Sequence, residues 1–338
     1  MEAEVVLSSD ESGRGAASDS GLARLFVHKK RRDWGLAILA WEGLERRRYQ
    51  FQDGQARTFK AGFYGLMEEV DEPLDVTAGV VAELEGKLDL TQARSEVVER
   101  ARADGRHLVT FDDQQRIFEH LFPGGFGDPE FVVEHRNGGD GPRRKSHFDP
   151  VILEAQERFS KARLADLISA GDVDRVVADL LDVLSSTSLA SGARYLGPLT
   201  ALPPARHHAV ATALNGLLWG SGSVSERFDA WTKALTSGEQ VPSWELATAV
   251  PALVQPEQHV CVKPSAFRAQ ARWLAPKLKV DTTPDGTTYD RLRAMSLQAL
   301  ERLRAGGQEP RDLLDLQTFI WTTLRPKARE VLAALRAH

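Results

Sequence analysis

The chain has 338 residues with 42% hydrophobic and 27% charged side chains, which is ordinary soluble globular composition and enough length for about two or three domains. Its single cysteine, Cys261, excludes an intramolecular disulfide and a cysteine-based zinc site, and points to a reducing cytoplasm. No apolar run approaches the ~20 residues of a membrane span, Met1 to Ser20 has neither the basic nor the apolar region of a secretory signal, and no membrane partner is expected.

The net charge of −5 is unevenly spread. Between Leu22 and Lys60, ten Lys and Arg stand against four Asp and Glu, a local +6 that leaves −11 for the rest of the chain. Residues 1–21 are Ser, Gly, Ala and acidic residues with almost nothing to bury, which predicts a disordered acidic tail. The basic segment then reads as strands. Leu25 and Val27, then Leu36, Ile38 and Trp41, carry β-type apolar positions, and Asp53-Gly54 marks a tight hairpin between Tyr49–Phe51 and Ala56–Phe59. With Phe63, Leu66 and Val70 closing it, residues 22–72 are expected to form a small β-barrel.

From residue 73 onward the period changes from two to 3.6. Val80, Val81, Leu84 and Leu88 share a helical face, and a second helix follows Thr91 and runs through Glu96 to Ala103. A third is capped by Thr110 and broken at Pro123-Gly-Gly-Phe-Gly127. Asp128-Pro129 starts a short helix to about His135. Residues 73–136 are thus expected as a small helical domain and the Gly- and Pro-rich residues 137–148 as a linker. An all-helical domain over 149–338 opens at Asp149-Pro150 with one long helix to Gly171, continues from Asp172, and then has helices near 204–218, 224–236, 243–254, 264–274, 287–305, 310–324 and 326–337. The predicted fold class is mainly α, with a small N-terminal β-barrel followed by a multi-helix region.

Chemistry is harder to find. His207 and His208 are adjacent and diverge on a helix, Glu119-His120 and Asp112-Asp113 suit a solvated face, and Glu85-Gly-Lys87 lies in a helical pattern. Pro123–Gly127 lacks the lysine ending of a phosphate loop, and Cys261 has His259 only as a sequence neighbour. No catalytic set, metal site or cofactor is predicted. The C-terminal tryptophans read as core. Asp312, Asp315 and Gln317 at an apolar helix start read first as capping groups, second as a contact with another subunit.

The candidate site is therefore the basic, aromatic-interleaved segment: Lys29, Lys30, Arg31, Arg32, Trp34, Arg46, Arg47, Arg48, Arg57 and Lys60, in a pattern suited to a phosphate-rich or acidic partner. Val27-His28, the Gly35 strand and Phe51–Phe59 resemble the SH3-like or Tudor-like barrels of bacterial transcription proteins, namely CarD-type regulators and the polymerase-interaction module of transcription-repair coupling factors. The charged run Lys30–Trp34 stands where those barrels have a short glycine turn. The resemblance implies docking on DNA or RNA polymerase through a basic face and an exposed edge strand. The expected function is a non-enzymatic adaptor or regulator whose helical part assembles with itself or with another protein. More faintly, Lys263-Pro264 and Arg311–Trp321 resemble helical parts of restriction and phage-defence proteins, which implies an alternative: an accessory or effector subunit with a site near Asp312 and Asp315.

Overall fold

Apolar alternation in the basic segment produces five strands: β1 (Leu25–His28), β2 (Leu36–Glu42), β3 (Arg46–Phe51), β4 (Ala56–Lys60) and β5 (Met67–Val70). They form one antiparallel sheet in the order β4-β3-β2-β1-β5, with a 3-10 turn, Ala61–Leu66, leading into β5. The computed structural model describes residues 25–42, 45–70, 79–89, 96–97, 99, 108–137, 147–190, 192–238 and 240–337. The expected acidic tail, the helix after Thr91 apart from 96–97 and 99, and residues 138–146 of the expected linker lie outside them. The chain divides into two units, Met1–Glu96 and Val97–His338, and its fold class is the predicted one, mainly α with a small antiparallel β region.

In the first unit, Ala37, Tyr49, Phe51 and Met67 form a core with Phe26, Trp34 and Phe59. Phe59 comes from one edge strand and Met67 from the other. In a flat five-stranded sheet those edges would stand about 19 Å apart, so the sheet curls around its core, with the hydrogen-bonded ladder open between β4 and β5. Phe63, expected to close this core, is instead 49% exposed. The opposite face is half covered: Leu84, Val80 and Val81 of α1 (residues 79–89) pack on Leu25, Leu36 and Ile38. Lys87 of α1 donates to the Gln52 carbonyl at 2.5 Å and pairs with Glu83, so the Glu85-Gly-Lys87 spelling serves a helix contact.

The second unit is built from thirteen described helices. Thr110 caps α2 (Phe111–Leu121) in a reciprocal capping box with Asp113, and Asp128 caps α3 (Pro129–His135) with proline at its first turn. The expected long helix before Gly171 is two, α4 (Phe148–Arg158) and α5 (Lys161–Ala170). The break falls at Phe159, whose carbonyl accepts the Trp219 indole N–H at 3.1 Å. Gly171 then ends α5 in the left-handed region, φ 74°. Asp149 does not cap α4, which starts behind His147; its carboxylate accepts from Arg136 and Arg311 instead.

The chain continues through α6 (Val173–Ser185), α7 (Ala193–Thr200), α8 (His207–Trp219), α9 (Val224–Leu235), α10 (Trp244–Val254), α11 (Pro264–Leu274), α12 (Gly286–Ala305), α13 (Leu313–Leu324) and α14 (Pro326–Ala337). Apart from Glu245 in its first turn, α10 is buried along its length and mostly apolar all round, as a central helix must be. The expected boundary at 137–148 does not separate two cores. Phe111 and Phe118 of α2 lie 5.7 and 5.3 Å from Phe319 of α13, and Phe126 and Phe131 join the same cluster, because the apolar face of so short a segment needs a partner to cover it.

Gly286 shows how closely α12 meets α9. Its N–H donates to Asp229 Oδ1 at 2.6 Å, and a Cβ there would overlap the Ser225 carbonyl oxygen. Gly286→Ala is expected to cost about 2–3 kcal/mol through forced separation of the two helices, measurable as a lower urea midpoint with an unchanged m-value.

Candidate functional site

The exposed end of the sheet takes its form from one irregularity. Ala37, Ile38 and Leu39 of β2 pair in register with Phe51, Gln50 and Tyr49 of β3, and the register then shifts, so that Trp41 faces Arg48 and Glu42 faces Arg47. A bulge moves one residue out of the alternation. Without it Trp41 would share the face of Leu39 and Tyr49, the one that carries the core. With it, Trp41 joins the outer face and is 43% exposed.

On that face Trp41 has Arg48 opposite it on β3, and β3 pairs Arg46 with Lys60 and Arg48 with Thr58 on β4. Among the described residues, Arg46, Arg48 and Lys60 have no carboxylate partner, and no ring or cation lies over Trp41. Arg48 is half-buried with its Nε buried and unpaired. Cations left unpaired by carboxylates at one end of a face hold a positive potential available to a ligand. The half of the same face under α1 is apolar, so the open half is the continuation of a face already used for packing.

The other predicted residues have different employment. Arg47 pairs with Glu42 at 2.7 Å and lies over the Tyr64 ring at 4.4 Å. Arg57 makes a forked pair with Asp53 at 3.0 and 2.6 Å and stacks on Trp34 at 3.9 Å. Trp34 itself packs edge-on against Phe51 and tilted against His28, so it belongs to the core more than to a contact surface. Arg31 pairs with Asp33 and lies 5.1 Å from the Trp34 ring centre.

Lys29, Lys30 and Arg32 sit in the exposed turn between β1 and β2 and have no carboxylate partner among the described residues. The turn is shaped by His28, whose Nδ1 accepts from the backbone N–H groups of Arg31 at 3.0 Å and Lys30 at 3.3 Å. Burial, helped by the positive charges of Arg31 and Arg57, lowers the His28 pKa and so favours the neutral ring that can accept those bonds. This charged turn lies at the far end of β2 from Arg46 and Lys60. The ten residues therefore form two clusters and a structural group.

The second unit resolves the remaining candidates. Asp312 caps α13 by accepting from Leu314 and Asp315 N–H, while Asp315 accepts from Arg311 N–H at 2.8 Å. Both carboxylates grip the guanidinium of Arg136, at 2.5 and 2.6 Å, and that side chain is 1% exposed. Capping is thus their role, joined to a buried ion pair that sequence reasoning missed. Their engaged oxygens give no support to a cleavage site. Cys261 is wholly buried, its thiol pushed up to about 12 by burial, and His259 hydrogen-bonds the Tyr289 hydroxyl at 2.9 Å, so the two make no reactive pair. Among the described residues no group of three His, Cys, Asp or Glu converges as a metal site would, and no helix is long and apolar enough to cross a membrane.

What fold and site define is a chain with a small curled β unit bearing an aromatic and basic face, and a larger helical unit. Comparison with protein-family models, with curated proteins and with solved structures returns no match.

Proposed function

We propose that the chain is a non-enzymatic, nucleic-acid-associated adaptor that holds its ligand on the Trp41 face of the β unit, with the helical unit serving assembly. The observation that carries this is the exposed indole flanked by three cations without carboxylate partners, Arg46, Arg48 and Lys60. An aromatic plate beside phosphate-binding cations is the arrangement that holds unpaired strands, since a base can stack on the ring only when it is free of its own neighbours.

Titration of the full chain with a fluorescent single-stranded oligonucleotide at several salt concentrations tests it. Three phosphate contacts predict a slope of log K against log salt of roughly −2, because each releases condensed counterions. Absent or salt-independent binding overturns the reading. The open β4 edge supports a second reading, strand addition by a protein partner such as RNA polymerase. Retention of polymerase on the immobilised chain after nuclease treatment is its test.

A further inference from the structure

The geometry points to a second binding site, in the helical unit, for a small organic oxyanion carried on a flat ring. A cleft of about 310 Å³ opens between α3, α13 and the residues preceding α11, at the small end of the ~300–1,000 Å³ typical of ligand sites. Its inner surface carries polar groups that the protein leaves unused. Gln317 is 2% exposed and Thr322 4%, yet neither the Gln317 amide nor the Thr322 hydroxyl has a hydrogen-bond partner in the protein. Their polar atoms are not sealed from solvent, so in the free protein water in the cleft serves them. Two nearly buried side chains bonded by no protein group and lining one cleft mark the place where a ligand's polar atoms can replace that water.

The sign of that ligand follows from the charges. Lys263 and Arg325 line the cleft half-buried and have no carboxylate partner among the described residues. The Lys263 ammonium stands 4.7 Å from the centre of the Trp321 ring, held at the mouth by the indole. His135 lines the same space. Burial lowers its pKa, with Arg136, Arg325 and His147 adding to the effect and Glu134 opposing it, so the neutral ring is favoured and offers one donor and one acceptor. The acidic side chains of the lining, Glu130 and Glu134, are exposed at the rim, where water screens them. The cleft thus presents two cations and neutral hydrogen-bonding groups to an anion. Phe122, Phe148 and Leu189 give an apolar wall for a flat body.

A carboxylate and a phosphate satisfy this chemistry equally, so the test uses one of each. Isothermal titration calorimetry of the full chain with benzoate and with adenosine monophosphate is expected to give saturable one-to-one binding for at least one of them, with Kd below about 1 mM. Benzyl alcohol and adenosine, which lack the charge, should bind at least tenfold more weakly. Lys263→Met and Arg325→Met should each weaken the anion at least tenfold. Gln317→Leu carries the sharper signature: it should abolish binding while leaving the melting temperature equal to or above that of the wild type, because the amide makes no hydrogen bond within the protein and its loss breaks none. Arg46→Glu/Lys60→Glu should leave this binding unchanged, which separates the cleft from the nucleic-acid face. No saturable binding of either anion up to about 10 mM, anion binding insensitive to Lys263 and Arg325, or a Gln317→Leu protein that melts lower and binds normally would each overturn the assignment.

Discussion

Arg136→Met is expected to be the most damaging single substitution in the helical unit, lowering its unfolding free energy by about 3–5 kcal/mol. The guanidinium is buried and shared between Asp312 and Asp315, with Asp149 at 3.4 Å, so its loss strands the Asp315 carboxylate, which water cannot reach, beside the nearly buried Asp312. The wild-type ion pair need not itself be strongly stabilising, because the cost of removing charges from water offsets much of their attraction. Breaking half of it has no such offset. Replacing the carboxylates as well, in Arg136→Met/Asp312→Asn/Asp315→Asn, should therefore recover a substantial part of the loss, a non-additivity measurable by urea denaturation.

The pH dependence has a definite sign. Burial pushes the Asp315 carboxyl up while Arg136 opposes it, and the net position is above the usual carboxylate range. An acid raised on folding binds its proton more readily in the folded chain, so its unfavourable contribution at neutral pH starts to shrink as pH falls to the folded pKa and is gone below the unfolded one. Without Arg136 the carboxyl moves higher still. The stability gap between wild type and Arg136→Met should narrow on acidification from about pH 7 to about pH 4, and a gap that widens over this range contradicts the account.

Local chemistry was legible in the sequence where it acts locally. Thr110, Asp128-Pro129, Ser223 and Pro264 mark helix starts because a cap or a first-turn proline works within a few residues. Helix α7 escaped notice because it begins at Gly192 with no capping side chain and contains Pro198. The carbonyl left free at the break between α4 and α5 is taken by an indole 60 residues away, and Arg136 meets its carboxylates across 176 and 179 residues. The site divides in the same way. Its charge excess and basic residue types were visible, but the bulge that turns Trp41 outward and the stacking that ties Arg57 and Trp34 to the core depend on cross-strand register, which composition does not encode.

Arg46→Glu/Lys60→Glu is expected to reduce affinity for a single-stranded oligonucleotide at least about a hundredfold near 50 mM salt and to flatten the salt slope from roughly −2 to roughly −0.7. The two side chains are directly opposed on β3 and β4, exposed, and without carboxylate partners among the described residues, so reversing them changes the field of the Trp41 face without emptying a core. Trp41→Ala should behave differently. Loss of one stacked base costs about 1–3 kcal/mol, a roughly 5- to 150-fold fall in affinity, yet the phosphate contacts and hence the salt slope remain. Arg57→Met supplies the contrast: its forked pair with Asp53 and its stacking on Trp34 belong to the core, so its effect should appear first as a lower melting temperature of the β unit. If the charge reversal leaves both affinity and slope unchanged while Arg57→Met alone abolishes binding in a folded protein, the ligand lies at the β1–β2 turn, where Lys29, Lys30 and Arg32 would have to hold it.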